Sequence, residues 1–469
     1  MAMPHRFDPT ILREYDIRGI VGTTLFAADA HALGRVFAQT VAAAGGRRVA
    51  VGYDGRLTSP ELEAALVEGL AEGGVEIVRI GRGPTPMLYY AAATLGVDGG
   101  VMVTGSHNPP DHNGFKIVLG GKPFFGEAIQ GLGPMARALG PAGTARGRVE
   151  EHSVFDEYVE RLARDYDGTR GLRVAWDCAN GATGEVVARL VEMLPGHHIL
   201  INETIDGTFP AHHPDPTVAE NLVQLQEVVA AERCDLGIGF DGDGDRIGIV
   251  DGRGRIAWGD QILIVLARDV LSRNPGAAVL SDVKASQVLF DEIARAGGKP
   301  VMTPTGHSII KARLLETGAP LAGEMSGHIF YAERYYGFDD AVYVAVRLLG
   351  VLGRAAQSLS EMLDKLPAVF NTPELRLPCE EARKFAIVEE LRDRLRRRGA
   401  DIIDIDGVRV RNSDGWWLLR ASNTQAVIVA RAESTSEAGL ERLKQQLAAE
   451  LAPSASFIAD PISAGDFST

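Results

Sequence analysis

Between Val103 and Lys116 the chain reads Val-Thr-Gly-Ser-His-Asn-Pro-Pro-Asp-His-Asn-Gly-Phe-Lys, a serine hydroxyl in a loop of small residues with a histidine and a lysine close by. Ser106 is the candidate nucleophile. Gly105 lets a ligand approach the backbone, and Pro109-Pro110 denies helical continuation and stiffens the exit, so the hydroxyl is held at a fixed place. On spacing alone a surface turn reads equally well, because the same residue types dominate ordinary turns.

The second constellation is Asp241-Gly242-Asp243-Gly244-Asp245-Arg246, entered from the apolar run Leu236 to Phe240. Three carboxylates at alternate positions repel one another without a cation. Their hard oxygens suit Mg²⁺, and the glycines let the loop curl around it. An EF-hand begins the same way, but here its sixth position is Arg246 and its twelfth is Gly252, so a Ca²⁺ loop is rejected. Gly237-x-Gly239-x-x-Gly242 formally matches a dinucleotide fingerprint. It fails because carboxylates would meet the pyrophosphate and the apolar Ile247 to Val250 follows where a helix must start.

Two further loops carry weaker signals. Gly323-Glu324-Met325-Ser326-Gly327-His328 sets acceptors and donors on a small backbone, as hydroxyl-rich ligands require. A buried, satisfied His328 is the plainer reading. Arg420-Ala421-Ser422-Asn423-Thr424 joins a guanidinium to two hydroxyls and an amide, a composition suited to gripping phosphate, and equally that of a turn.

The elements that position these loops are legible in outline. Arg48 to Gly52 reads as a strand leading to Tyr53-Asp54-Gly55-Arg56. A helix follows, capped by Ser59, with Pro60 at its first position and Leu62, Ala65, Leu66, Gly69 and Leu70 on one face before Gly73-Gly74 ends it. Val75 to Ile80 and Gly99 to Val103 are further strands, the latter delivering Ser106 at its carboxyl end. Leu172 to Asp177 and Ala278 to Lys284 repeat the strand-then-polar-loop pattern, which predicts three related α/β domains. The last hundred or so residues change period: a basic helix Ala382 to Arg398, strands at Ile402 to Asp406, Trp416 to Arg420 and Ala426 to Ala432, and a helix Ser436 to Leu451. The expected units are 1–150, 151–255, 256–368 and 369–469, three mixed α/β domains and a smaller α+β domain.

Composition narrows the classes. With 469 residues the chain exceeds one core, and at 45% apolar and 23% charged it reads as globular. No run approaches the roughly 20 apolar residues of a membrane span and the start lacks a signal-peptide core, so a cytoplasmic protein with no membrane partner is expected. Three scattered cysteines suggest neither a disulfide framework nor a cysteine metal site. A net charge of −14 argues against a nucleic-acid partner, and the arginine-rich run from Arg392 to Arg398 is read as a solvated face.

Taken jointly and in this order, Arg-Glu-Tyr-Asp-Ile-Arg-Gly (13–19), the Ser106 loop, Asp-Gly-Asp-Gly-Asp-Arg-Ile-Gly (241–248), Gly-Glu-Met-Ser-Gly-His (323–328) and Arg-Ala-Ser-Asn-Thr (420–424) resemble the motifs of the α-D-phosphohexomutase superfamily over essentially the full length, and its bacterial phosphomannomutase/phosphoglucomutase branch in particular. The resemblance implies four domains around a central cleft. It implies an isomerase that moves phosphate between O1 and O6 of mannose or glucose phosphates through a phosphoserine at Ser106 and a hexose 1,6-bisphosphate, which also serves as activator. It implies Mg²⁺ held by Asp241, Asp243, Asp245 and an oxygen on Ser106, with Arg18, Lys116 and Arg246 around the serine. Arg420, Ser422, Asn423 and Thr424 then clamp the distal phosphate near Tyr15, while Glu324 and Ser326 hold the sugar. Lys284, Gly306 and His307 line the cleft, His328 and Lys116 transfer protons, and His107 positions. A monomer is implied. The rival readings are a glucosamine-phosphate mutase, a hydrolase using Ser106 with His107, and a sugar-phosphate sensor without catalysis.

Overall fold

Three apolar strands that each end at an aspartate organise most of the molecule: Arg48–Tyr53 before Asp54, Leu172–Asp177, and Ala278–Asp282. The structure, a computed structural model, describes residues 4–141, 146–423 and 425–458. Each of these strands pairs in parallel on one side with the next strand in sequence (Glu76–Arg82, Gly196–Ile201, Lys299–Thr303). On the other side it pairs in parallel with the one after that (Gly99–Val103, Leu236–Phe240, Leu321–Gly323). An antiparallel strand then closes each group: His112–Leu119, Ile247–Asp251 and Ile329–Tyr331. The order is the same three times, so the recurrence expected from sequence is a recurrence of topology.

The turn into that antiparallel strand is the same place in all three units, and each of the first three chemical loops occupies it. Ser106 lies between Gly99–Val103 and His112–Leu119, Asp241 to Arg246 between Leu236–Phe240 and Ile247–Asp251, and Glu324 to His328 between Leu321–Gly323 and Ile329–Tyr331. Two of the strand-end aspartates brace these loops: Asp54 accepts from Gly105 N–H and Asp282 from Met325 N–H. Asp54 also accepts from the Ser59 hydroxyl at 2.5 Å. Ser59 is therefore the first residue of its helix and Thr58 the flanking one, not the cap the sequence suggested.

The C-terminal sheet is antiparallel throughout, ordered Phe370–Asn371, Val427–Ser434, Gly415–Ala421, Val408–Asn412, Asp401–Ile403, with Leu375–Pro378 also against Val427–Ser434. Helices Lys384–Arg397 and Glu437–Leu451 cover it. Three strands expected there become six: Phe370–Asn371 and Leu375–Pro378 are short, and Val408–Asn412 alternates valine with arginine and hides its buried Arg409 behind a polar sequence. Asp406 leaves its expected strand at the Gly407 turn (φ +77°).

One continuous apolar cluster runs through the first three units, from Ala50 and Leu88 through Trp176 and Ile249 to Leu289 and Tyr343. The C-terminal unit has its own, around Ile387, Trp417, Ile428 and Leu443. It meets the third unit through Trp416 and Leu418 against Val283, and through buried guanidinium groups: Arg409 donates to the carbonyls of Val283 and Ala285, and Arg431 to that of Lys284. Three arginines at the end of the basic helix are paired, Arg394 and Arg398 with Glu450 and Arg396 with Asp404. Residues 142–145 and 459–469 lie outside the described residues; at the expected end of the first unit, residue 150, the strand Val149–Glu151 still pairs with Glu76–Arg82. Among the described residues no helix is long and apolar enough to cross a membrane.

Candidate active site

Ser106 sits at the end of its strand in a left-handed conformation (φ +50°), 1% exposed. Such a backbone is unfavourable for a residue with a side chain and persists where its surroundings impose it. The imposing group is Arg56. Its guanidinium, buried under the loop, donates to the carbonyls of Ser106, Asn108, Pro109 and His112. The Ser106 hydroxyl donates to Asp241 Oδ2 at 3.2 Å and lies 3.1 Å from His107 Nδ1. Gly242 makes the approach of the two loops possible: a Cβ there would stand 2.5 Å from the Ser106 carbonyl oxygen.

Asp241, Asp243 and Asp245 are fully buried and bring carboxylate oxygens within 4.8 Å of one another. Asp241 Oδ1 accepts from the backbone N–H groups of Gly244, Asp245 and Arg246, which fixes the loop's curl. Lys116 donates to Asp243 at 2.6 Å and to Asp245, and Thr85 to Asp243. Asp243 Oδ1 and Asp245 Oδ1 have no hydrogen-bond partner. Burial, reinforced by Asp243 and Asp245, pushes Asp241 well above the usual carboxylate range. Burial works the same way on Asp243, but Lys116 outweighs it and holds that carboxyl low. Lys116 itself is disfavoured as a cation by burial, yet Asp243, Asp245 and Asp241 keep it charged. Three converging carboxylates with unpartnered oxygens are a donor set for a hard divalent cation, so the residues fit a metal ion.

Around this centre lie the other expected groups. Arg18 bonds Asn108 of the serine loop at 2.6 Å and pairs with Asp16. Arg246 donates from Nε to His328 Nε2 at 2.9 Å. His107 is pushed well below the usual histidine range by burial and by Arg246, Arg18 and Lys116.

A second cluster adjoins the first. The rings of His307 and His328 stack at 5.2 Å, and Tyr15 meets His307 edge-on at 5.9 Å. Glu324 accepts from Gly306 N–H at 2.7 Å and from the Ser326 hydroxyl at 2.8 Å. Gly306 (φ +136°) admits Tyr15, whose ring would be 2.6 Å from a Cβ. The Tyr15 hydroxyl donates to the Thr305 carbonyl and accepts from Asn423, and burial pushes it up to about 12. Arg420 is held by Asp406, which also accepts from Thr305 N–H. Lys284 pairs with Glu374 at 2.9 Å. Ser422 turns into its own loop, accepting from Gln425 N–H, and Thr424 lies outside the described residues.

Sequence reasoning did not single out Arg56, Thr85, Glu374 or Asp406, each of which braces a group named above, nor Asp339, which stands 3.0 Å from His328 Nδ1 and accepts from Lys311. Arg56 follows a strand directly, in Asp54-Gly55-Arg56, which is the one signal that pointed to it. The others touch their partners across tens or hundreds of residues.

Four family descriptions match the chain in order: phosphoglucomutase/phosphomannomutase alpha/beta/alpha domains I, II and III over residues 9–134, 156–254 and 258–370, and the C-terminal domain over 374–450. A Pseudomonas aeruginosa phosphomannomutase/phosphoglucomutase is 45% identical, covering 93% of this chain and 94% of that protein. A Neisseria gonorrhoeae phosphoglucomutase is 42% identical over 94% of this chain and 96% of its own. The crystal structure of a phosphoglucomutase/phosphomannomutase family protein from Burkholderia thailandensis superposes with a TM-score of 0.91 at 43% identity, covering 97% of this chain and all of that one.

Proposed function

The chain belongs to the phosphoglucomutase/phosphomannomutase family, and from that premise we propose that it interconverts the 1- and 6-phosphates of mannose and glucose through a phosphoryl group carried on Ser106. It is a hexose-phosphate mutase, an isomerase. The observation that carries the finer reading is the approach of the Ser106 hydroxyl to Asp241, at 3.2 Å, beside a buried cluster of three carboxylates and Lys116. Phosphoryl transfer calls for that kind of surrounding, since it depends on placement and charge neutralisation.

In this reading Asp241, Asp243 and Asp245, with an oxygen of phosphorylated Ser106, would hold Mg²⁺, which would supply positive charge to offset that of the transferring group. A sugar hydroxyl attacks phosphorus and the bond from phosphorus to Ser106 Oγ breaks. Lys116, kept charged by its carboxylate partners, donates a proton to the departing Oγ, and His328 takes the proton of the attacking hydroxyl. Arg18 and Arg246 face the phosphoryl oxygens, and His107 positions Ser106. The resulting hexose 1,6-bisphosphate turns in the cleft and returns its other phosphate to the serine; the same bisphosphate, added externally, is the activator.

The non-reacting phosphate is gripped by Arg420 and Lys284 with Ser422, Asn423 and Thr424, beside Tyr15. Glu324 and Ser326 hold sugar hydroxyls in either orientation, with His307 and the backbone of Gly306 lining the wall. The chain works as a cytoplasmic monomer on small phosphorylated sugars.

Purified protein is supplied with Mg²⁺, a trace of glucose 1,6-bisphosphate, and mannose, glucose or glucosamine 1-phosphate. The 6-phosphates of mannose and glucose are the expected products. Free phosphate in place of isomer identifies a hydrolase, binding without product identifies a sensor, and faster turnover of the glucosamine ester identifies the amino-sugar mutase.

A further inference from the structure

The carboxylate of Asp339 lies beside His328 and His307 and is 0% exposed. Its backbone is bridged to Phe330, two residues past His328, so the two side chains are set by one short piece of sheet. Oδ1 accepts from Lys311 at 2.9 Å, and Lys311 reaches on to the Tyr89 hydroxyl of the first unit at 3.1 Å. Oδ2 stands 3.0 Å from His328 Nδ1 and 3.9 Å from His307 Nδ1, close charge contacts rather than aligned hydrogen bonds, and Asp245 Oδ1 is the more distant carboxylate oxygen facing the same His328 nitrogen, at 3.6 Å. Burial disfavours the charged carboxylate, but Lys311 and His328 outweigh it and hold Asp339 well below the usual range.

The opposite nitrogen of His328 has its own constraint. A guanidinium Nε–H only donates, so His328 Nε2, at 2.9 Å from Arg246 Nε, must offer its lone pair. A neutral ring with a lone pair on Nε2 carries its proton on Nδ1, the nitrogen that faces an ionised carboxylate. The two contacts select the same tautomer from opposite sides. The ring is also sandwiched, with His307 at 5.2 Å and Phe330 at 6.4 Å, both within 24° of parallel.

We infer that Asp339 is a positioning residue for the isomerisation: it fixes the orientation and the Nδ1–H tautomer of His328, so that Nε2 presents a lone pair to the sugar. This deepens the proton-transfer reading of His328 given above and rests on it. Arg246 occupies that lone pair in the structure, and a phosphate oxygen that draws the guanidinium away exposes it to a sugar hydroxyl. A second cation shared by Asp245, His328 and Asp339 is the rival use of these atoms, which lie within 4.8 Å of one another. Two observations weigh against it: Lys311 already pairs with Asp339, and Asp245 already belongs to the three-carboxylate set assigned to the ion beside Ser106.

The test has a spectroscopic arm and a kinetic arm. In ¹⁵N-labelled full-length protein, ring correlations assigned to His328 by their loss in His328→Gln report the tautomer at fixed pH. The expected wild-type form is Nδ1–H, and Asp339→Asn is expected to shift it toward Nε2–H. A wild-type Nε2–H ring, or no change in Asp339→Asn, overturns the inference. Kinetically, Asp339→Asn should lower kcat about 100-fold with KM changed less than about 3-fold. In a His328→Ala background the same substitution should cost less than about 3-fold, and equal losses in both backgrounds overturn the positioning role. If Asp339→Asn leaves Lys311 too costly to bury, Lys311→Met with Asp339→Asn carries the same comparison. Metal analysis should find no second ion that disappears in Asp339→Asn; finding one establishes the rival. A His328→Ala enzyme of undiminished turnover removes the proton-transfer reading and the role of Asp339 in turnover with it, whereas a wrong tautomer with turnover lost in His328→Ala overturns the Asp339 inference and leaves that reading standing.

Discussion

The two ends of the cleft are built differently. At the Ser106 end the groups are locked by backbone and by a shared core: Arg56 holds four carbonyls of the serine loop, Asp241 is pinned by three backbone N–H groups, and the first three units pack through one apolar cluster. At the Arg420 end the cations are held by carboxylates, Glu374 on Lys284 and Asp406 on Arg420, which in the proposed grip a ligand phosphate would displace, and the unit that carries Arg420 has its own core. The difference teaches a division of labour. A reacting centre gains from preorganisation, because donors aimed in advance need no rearrangement as charge develops. A grip that must take and release a phosphate at either end of a turning sugar gains from partners that compete with the ligand.

Substitutions sharpen or break that contrast. The largest effect belongs to Ser106→Ala, which should reduce isomer formation by at least about 10³-fold while leaving hexose-phosphate binding measurable by calorimetry. Next comes the acidic ring: chelation should stop turnover and added Mg²⁺ restore it, and Asp243→Asn should lower kcat on the order of 10²-fold at saturating Mg²⁺. Should Asp243→Asn act mainly on KM, the Ser106 end is not the preorganised one. Arg420→Ala should do the reverse, raising KM for both the 1- and the 6-phosphate about 10- to 100-fold with a smaller loss in kcat.

The smallest effect is on stability. Lys284 outweighs burial and holds the Glu374 carboxyl at about 2, below its ordinary 4.5. A carboxyl lowered on folding stabilises the native state above its unfolded value, and that contribution is lost as pH falls through the folded one. Glu374→Gln should therefore cost about 2 kcal/mol at pH 7 and progressively less from pH 4.5 toward 2, read from urea unfolding. A cost independent of pH would mean that the pair contributes only packing.

Much of this was legible in the chain. The strand-loop units at residues 48, 172 and 278 and the loops holding Ser106, Asp241 and Glu324 stand out because apolar runs, glycines and carboxylates are local signals. What was hidden is the support. Arg56 precedes Ser106 by 50 positions, Asp339 is 28 from Lys311 and Glu374 is 90 from Lys284, separations that only the folded chain closes. Val408–Asn412 was missed for a related reason: its buried Arg409 reads as solvent-facing until Val283 and Ala285 supply the acceptors. The joint order of the motifs pointed to the cleft, whereas the braces that make one end rigid and the other exchangeable needed the structure.

The central claim is that Ser106 carries the phosphoryl group between the two positions of the sugar. Enzyme charged with glucose 1,6-bisphosphate labelled in both phosphates, then freed of sugar, is mixed with unlabelled mannose 1-phosphate and quenched within one turnover. The account predicts label on Ser106 before mixing and on mannose 1,6-bisphosphate and mannose 6-phosphate afterwards, none of it in Ser106→Ala. Label that leaves as free phosphate, or that never resides on Ser106 while isomer still forms, would contradict it.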